Sequence, residues 1–202
     1  MQGLLLLGCE YPAHLSWVSD IRMTEGLQHM LALRPVEKIV PELSERTGKK
    51  AAAVSSKARE AFVLQLPPDF LALVDDIGGQ EIAGDFLLLD LPQVLRETAD
   101  RDHPLIELGK TWWVFATAGT GDAWLLRRTE SGSQVAFLDH DQGCDAQPIE
   151  MDINFAQWLQ LADLMAQVEL GSSGSVNVED IARELALLSD GLPARYPYRL
   201  DV

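Results

Sequence analysis

Apolar positions in the second half of the chain repeat at two different periods. Phe70, Leu73, Val74 and Ile77 fall at i, i+3, i+4 and i+7, a single helical stripe. Pro67 and Pro68 open that helix, and Asp69 sits in its first turn, where the macrodipole favours an acid. Gly78 and Gly79 close it, because glycine accepts the left-handed cap. Residues 85–90 (DFLLLD) read as a buried strand and residues 92–99 as a short helix. Residues 112–117 are apolar on both faces, as in a central strand. Strands follow over 122–127 and 134–138, with Ser131-Gly132 marking the hairpin between them. Asn154 caps a helix whose apolar face runs through Phe155, Trp158, Leu159, Ala162 and Met165. Asn177 caps a last helix over 178–188, with Gly191 as its stop. Trp112, Trp113, Trp124 and Trp158 lie in these periodic elements and are expected in the core.

The remaining segments carry weaker patterns. Residues 3–8 read as a short strand, and 15–33 as a helix interrupted by Gly26. Pro41 opens a fresh helix ending at Thr47, and the alanine-rich run 51–64 predicts another. Residues 171–175 are a glycine–serine break, and the tail 193–202 reads as irregular. From Leu66 the order is therefore helix, strand, helix, three strands, helix. Strands joined by short turns are antiparallel neighbours, and helices grouped before and after them predict an α+β fold.

Charge changes the picture. The chain of 202 residues has a formal net charge of −15. Residues 60–169 hold 20 Asp/Glu against 5 Lys/Arg, so the whole excess sits in that segment. This exceeds the magnitude of about 2–8 that keeps a small domain soluble. Such a field repels nucleic acid and anionic membrane and attracts basic proteins. Asp69, Asp75, Asp76, Glu81, Asp85 and Asp90 are the candidate partner-binding acids at the start of this segment. Two cysteines, Cys9 and Cys144, form neither a metal pattern nor a disulfide framework, which predicts a reduced, cytoplasmic protein. The Leu4-to-Cys9 run is similar to a short lipoprotein signal. No basic residue precedes it and its apolar stretch is too short, so a buried strand is expected. No segment is apolar over enough residues to span a membrane.

Two motifs could carry chemistry. Gly119-Thr120-Gly121-Asp122 could cradle a phosphate, but Asp122 opposes an anion and a strand follows instead of a helix. The expectation is a tight turn needing positive φ, with Asp122 bonding nearby backbone. Asp139-His140-Asp141 with Cys144 could suggest a metal site or a hydrolase's nucleophile pair. In an extended stretch, however, His140 points away from both acids, and a structural histidine is expected.

The Leu66-Pro67 helix ending in Gly78-Gly79 is the first of three elements that together resemble the SUKH superfamily. The second is Trp113 and Phe115 running into Gly119, Gly121 and Asp122, then Trp124, Leu125 and Leu126. The third runs from Val135 to Asp141, with a closing helix bearing Phe155 and Leu159. The resemblance covers about residues 60–170, a span of motifs and not of identity. It implies a SUKH-like antiparallel-rich sheet flanked by helices, with an N-terminal extension (1–59) and a C-terminal linker, helix and tail (171–202). It also implies a protein-binding module, not an enzyme, with no cofactor and no metal. Bacterial members of this superfamily neutralise toxins, so the implied partner is a basic toxin domain. The alternatives are a regulatory scaffold of the same fold or a hydrolase built on Asp139, His140 and Cys144.

Overall fold

A computed structural model describes residues 31–47, 60, 65–101, 103, 105–171 and 177–199. The strand expected over 3–8, the helices expected over 15–33 and 51–64, and the break at 171–175 fall wholly or largely outside these residues.

Helix α1 (Val36–Thr47) begins five residues before the expected Pro41 start. The Pro35 carbonyl accepts from the N–H groups of Lys38 and Ile39, so Pro35 sets the first turn and Pro41 lies inside the helix. An interior proline forfeits one backbone bond. Burial of Ile39 and Leu43, one turn apart on the inner face, offsets that loss. Helix α2 (Pro68–Ile77) follows its predicted stripe and buries Phe70, Val74 and Ile77. Its end divides the work between two glycines. Gly78 keeps an ordinary φ and donates to the Val74 carbonyl, while Gly79 takes the left-handed φ of +78° and donates to Leu88.

Strand β1 (Gln80–Ala83), not foreseen in the sequence, pairs with β2 (Phe86–Leu88). Helix α3 (Leu91–Asp100) starts at Asp90 through a reciprocal capping box with Gln93. Strands β3 (Trp113–Thr117), β4 (Ala123–Thr129) and β5 (Gly132–Leu138) form the central meander. Thr129 pairs with Gly132, so the turn residues are Glu130 and Ser131, one position earlier than expected. A 3-10 turn (His140–Asp145) leads to the two-residue strand β6 (Ile149–Glu150). Helices α4 (Phe155–Gly171), α5 (Val178–Leu188) and α6 (Leu192–Arg195) complete the described chain. Ser189, not Gly191, ends α5, and part of the tail expected to be irregular is the short helix α6.

The result is an α+β fold with one six-stranded antiparallel sheet in the order β1 to β6. An aromatic cluster joins the sheet to its helices. The Trp158 ring of α4 lies 4.7 Å from Phe115, 5.6 Å from Phe86 and 6.0 Å from Trp124. Phe70 of α2 meets Phe155 edge-on at 5.1 Å. Trp112, Trp113, Trp124 and Trp158 are all buried. Helices α1, α5 and α6 lie outside residues 60–170, yet Ile39, Leu43, Ile181, Leu185 and Leu192 belong to the same core cluster. No helix among the described residues is long and apolar enough to cross a membrane.

Candidate functional site

The six expected partner-binding acids separate into two groups. Asp69 accepts a bond from the Ser133 hydroxyl, whose oxygen in turn accepts the Phe155 N–H at 2.9 Å. This carboxylate therefore ties α2 to β5 and to the first residue of α4. Asp90 is the α3 cap, accepting the Gln93 N–H at 2.9 Å. Asp85 lies in the β1–β2 turn, where its carbonyl accepts the Trp124 indole N–H at 3.0 Å. Burial, with Glu169 and Asp122 nearby, pushes its carboxyl above the usual range. Burial first, and Asp85 second, likewise raises the phenols of Tyr196 and Tyr198. Asp69, Asp85 and Asp90 are half-exposed, and the carboxylates of Asp69 and Asp90 are engaged within the fold.

Asp75, Asp76 and Glu81 are exposed. Asp75 and Asp76 occupy the last turn of α2, and Glu81 follows on β1 just beyond Gly78 and Gly79. The last turn of α2 contains no basic residue. Acids at a helix C-terminus face the negative end of its macrodipole, at a cost of about 0.3–1 kcal/mol each at the surface.

A second polar cluster forms where the β3–β4 turn meets the end of β5. Gly121 takes a φ of +103°, and the Thr120 hydroxyl donates to Asp122 at 2.6 Å. The other Asp122 oxygen accepts the His140 backbone N–H at 3.0 Å and lies 2.8 Å from its ring Nδ1. Nε2 of the same ring lies 3.1 Å from Asp141. Asp139 caps the 3-10 turn, accepting from the Asp141 N–H and from the Gln142 side chain. The bond to Asp122 raises the His140 imidazole above its ordinary value, and Asp141 and Asp139 reinforce it. Burial works to raise the Asp122 carboxyl, but bonds from Thr120 and His140 outweigh it and hold the carboxyl below the usual range.

The expectation that His140 points away from both acids is therefore corrected. The segment turns as a 3-10 helix and is not extended, so ligand atoms of Asp122, Asp139 and His140 lie within 4.8 Å of one another. The Cys144 side chain lies outside the described residues. The carboxylate stands between the Thr120 hydroxyl and the imidazole. A hydroxyl nucleophile needs the imidazole in that middle place to take its proton. The bonds instead lock a turn: Gly121 takes the expected positive φ and Asp122 accepts a nearby backbone N–H, that of His140.

Two features were not foreseen. A groove of about 340 Å³ is lined by Leu105, Ile106, Glu107, Trp112, Pro148 and Glu150. Arg127 lies 4.6 Å over the Trp112 ring and pairs with Glu150 at 3.0 Å. The other is Asp163, almost fully buried on α4 and bonded by the Arg34 guanidinium. Its signal was present in the sequence as a lone acid inside the apolar run LQLADLMAQV.

Comparison with family models, with curated proteins and with solved structures gives no significant match to this chain.

Proposed function

We propose that the chain is a protein-binding module that neutralises a basic toxin domain by occluding it, and that Asp75, Asp76 and Glu81 belong to its docking face. The charge distribution carries the reading: the whole net charge of −15 falls within residues 60–169, and Asp75, Asp76 and Glu81 expose three of its acids at the end of α2 and on β1. The α+β architecture agrees with the SUKH resemblance, whose bacterial members act as immunity proteins.

The mechanism is electrostatic steering followed by short-range packing. An acidic surface raises the encounter rate with a basic partner, and desolvated contacts then set the residence time. The Debye length contracts from about 10 Å at 0.1 M salt to about 3 Å at 1 M. Association should therefore slow steeply across that range, while dissociation changes little. The test is stopped-flow binding, over a salt series, to the product of a neighbouring gene that encodes a basic toxin domain; a gene neighbourhood without one counts against the reading. Asp75→Lys/Asp76→Lys should slow association without unfolding the protein, since exposed substitutions usually cost within about 0.5 kcal/mol. An association rate that is flat with salt and unmoved by this reversal would show that the acidity serves solubility.

A further inference from the structure

One segment of the chain is held in the way a bound peptide is held. Residues 31–35 form no helix or strand of their own and lie along α4 and α5. Gln167 clamps Ala32 from both sides: its Oε1 accepts the Ala32 N–H at 3.3 Å and its Nε2 donates to the Ala32 carbonyl at 3.0 Å. Glu184 of α5 accepts the Leu33 N–H at 3.3 Å, and Gln160 donates to the Arg34 carbonyl at 2.8 Å. Leu31 and Leu33 pack, partly buried, against the core. The Arg34 guanidinium then places two bonds on Asp163, at 2.9 and 2.5 Å, and a third on Glu42 at 2.9 Å.

These contacts follow the logic of peptide recognition. Side-chain amides and a carboxylate read the main chain whatever its sequence, as an added strand would. Gln160, Asp163 and Gln167 fall at i, i+3 and i+7 of α4, one stripe along the groove. Asp163 supplies the specificity. With Arg34 withdrawn, this carboxylate keeps the Gln167 amide at 2.9 Å, but no cation would balance its buried charge. Breaking a buried pair by removing one partner is strongly unfavourable, so the groove demands a cation. The planar fork of arginine fits it better than lysine's point charge.

We propose that the α4–α5 groove is a recognition site for an extended partner segment of the form apolar–any–apolar–Arg, occupied in cis by residues 31–35 as an exchangeable strap. The site is separate from the acidic face of α2, and the proposal stands whether or not that face binds a toxin. Exchange is favoured by the way the strap is secured. Its amide clamps at Ala32 are exposed to solvent, and it has no ladder of its own. Exchange also leaves no buried charge unpaired at its end, because the incoming arginine takes the place of Arg34 on Asp163. Tethering gives the strap an effective concentration of about millimolar, which a partner must overcome.

The test uses a fluorescent peptide copying residues 31–36, Leu-Ala-Leu-Arg-Pro-Val, and a control peptide with Gln in place of Arg. Anisotropy is measured on the full chain, on Arg34→Gln, and on Arg34→Gln/Asp163→Asn. A strap closed about nine-tenths of the time weakens apparent affinity about tenfold, so Arg34→Gln should bind the Arg peptide at least tenfold more tightly than wild type. The Gln peptide should bind this variant at least tenfold more weakly than the Arg peptide, and the double variant should not distinguish the two. A folded Arg34→Gln that binds no better than wild type, or that binds both peptides alike, overturns the proposal. If Arg34→Gln does not fold, hydrogen exchange on the wild-type chain decides. Excess Arg peptide should speed exchange of the Ala32 and Leu33 amides at least tenfold, with no effect from the Gln peptide. Unchanged exchange overturns the proposal.

Discussion

Gly78 and Gly79 end the same helix, yet the structure predicts that they fail for different reasons when replaced. A Cβ built on Gly78 would stand 2.5 Å from the Val74 carbonyl oxygen, 3.0 Å from the Asp90 Cα and 3.1 Å from the Leu89 oxygen. All three are backbone atoms, so no side-chain rotation relieves the contact. Its φ of −71° is ordinary, and the whole cost is steric. Gly79 is the reverse case. Its nearest neighbours to an added Cβ are side-chain atoms at 3.6 Å or more, but its φ of +78° is left-handed. Gly79→Ala should therefore cost about 1–2 kcal/mol, the ordinary penalty for that region. Gly78→Ala should reach the top of the overpacking range, about 3 kcal/mol, because α2 must separate from the segment joining β2 to α3. At about 2–4 °C per kcal/mol for a domain of this size, Tm should fall by about 6–12 °C for Gly78→Ala and about half that for Gly79→Ala. Urea unfolding followed by tryptophan fluorescence measures both. Gly79→Asn should recover part of its loss, since Asn tolerates the left-handed region, whereas Gly78→Asn should not. A Gly78→Ala protein no less stable than Gly79→Ala would show that the close approach of these backbones is wrong.

Two further outcomes test the turn cluster and the core. The His140 imidazole is raised, so it contributes stability that is full below about pH 6.5 and lost as pH rises through its folded value; Asp122 is lowered, so its contribution is present above about pH 3.9 and lost as pH falls through its folded value. His140→Ala should accordingly remove the decline in urea midpoint that sets in as pH rises above about 6.5, and an equal decline in the variant would dissociate His140 from it. Thr98, buried on α3, accepts the Val114 N–H with its hydroxyl oxygen at 3.0 Å. Thr98→Val leaves that N–H without its partner and should cost about 1–3 kcal/mol, with Thr98→Ser distinctly milder in the same unfolding assay.

The sequence made the long elements readable and the short ones invisible. Four apolar residues at helical spacing specified α2, and Asn177 specified α5 to its first residue. β1 and β6 span four and two residues, too few to show a period, and each is fixed by its neighbour's ladder and not by its own pattern. The Pro41 start failed because Pro35 offered a carbonyl in the right place and burial of Ile39 outweighed one missing bond. The candidate site was legible as charge and not as geometry. Nothing in the spacing of Asp69, Asp85 and Asp90 shows that Asp69 ties α2 to Ser133, that Asp90 caps α3, or that Asp85 acts on the phenols of the tail. The extended path expected at His140 fails because Asp139 caps a 3-10 turn through the Asp141 N–H and Asp122 takes the His140 N–H.

Because every strand lies beside its predecessor in the chain, the sheet can grow one strand at a time as the polypeptide emerges from the ribosome, with α3 formed between β2 and β3. Its pairings are local in sequence, a topology associated with rapid folding. The cover for its aromatic face arrives later. Phe86, Phe115, Trp124 and Phe137 are all made before residue 150, whereas Trp158, which packs on three of them, belongs to a helix completed at residue 171. At about 5–20 residues per second, the nascent chain carries a finished sheet with Phe70 of α2 on Phe115 but without its α4 cover for roughly 1–4 s. That interval is when a holdase would engage this protein, and when a ribosome stalled before α4 would leave an aggregation-prone fragment.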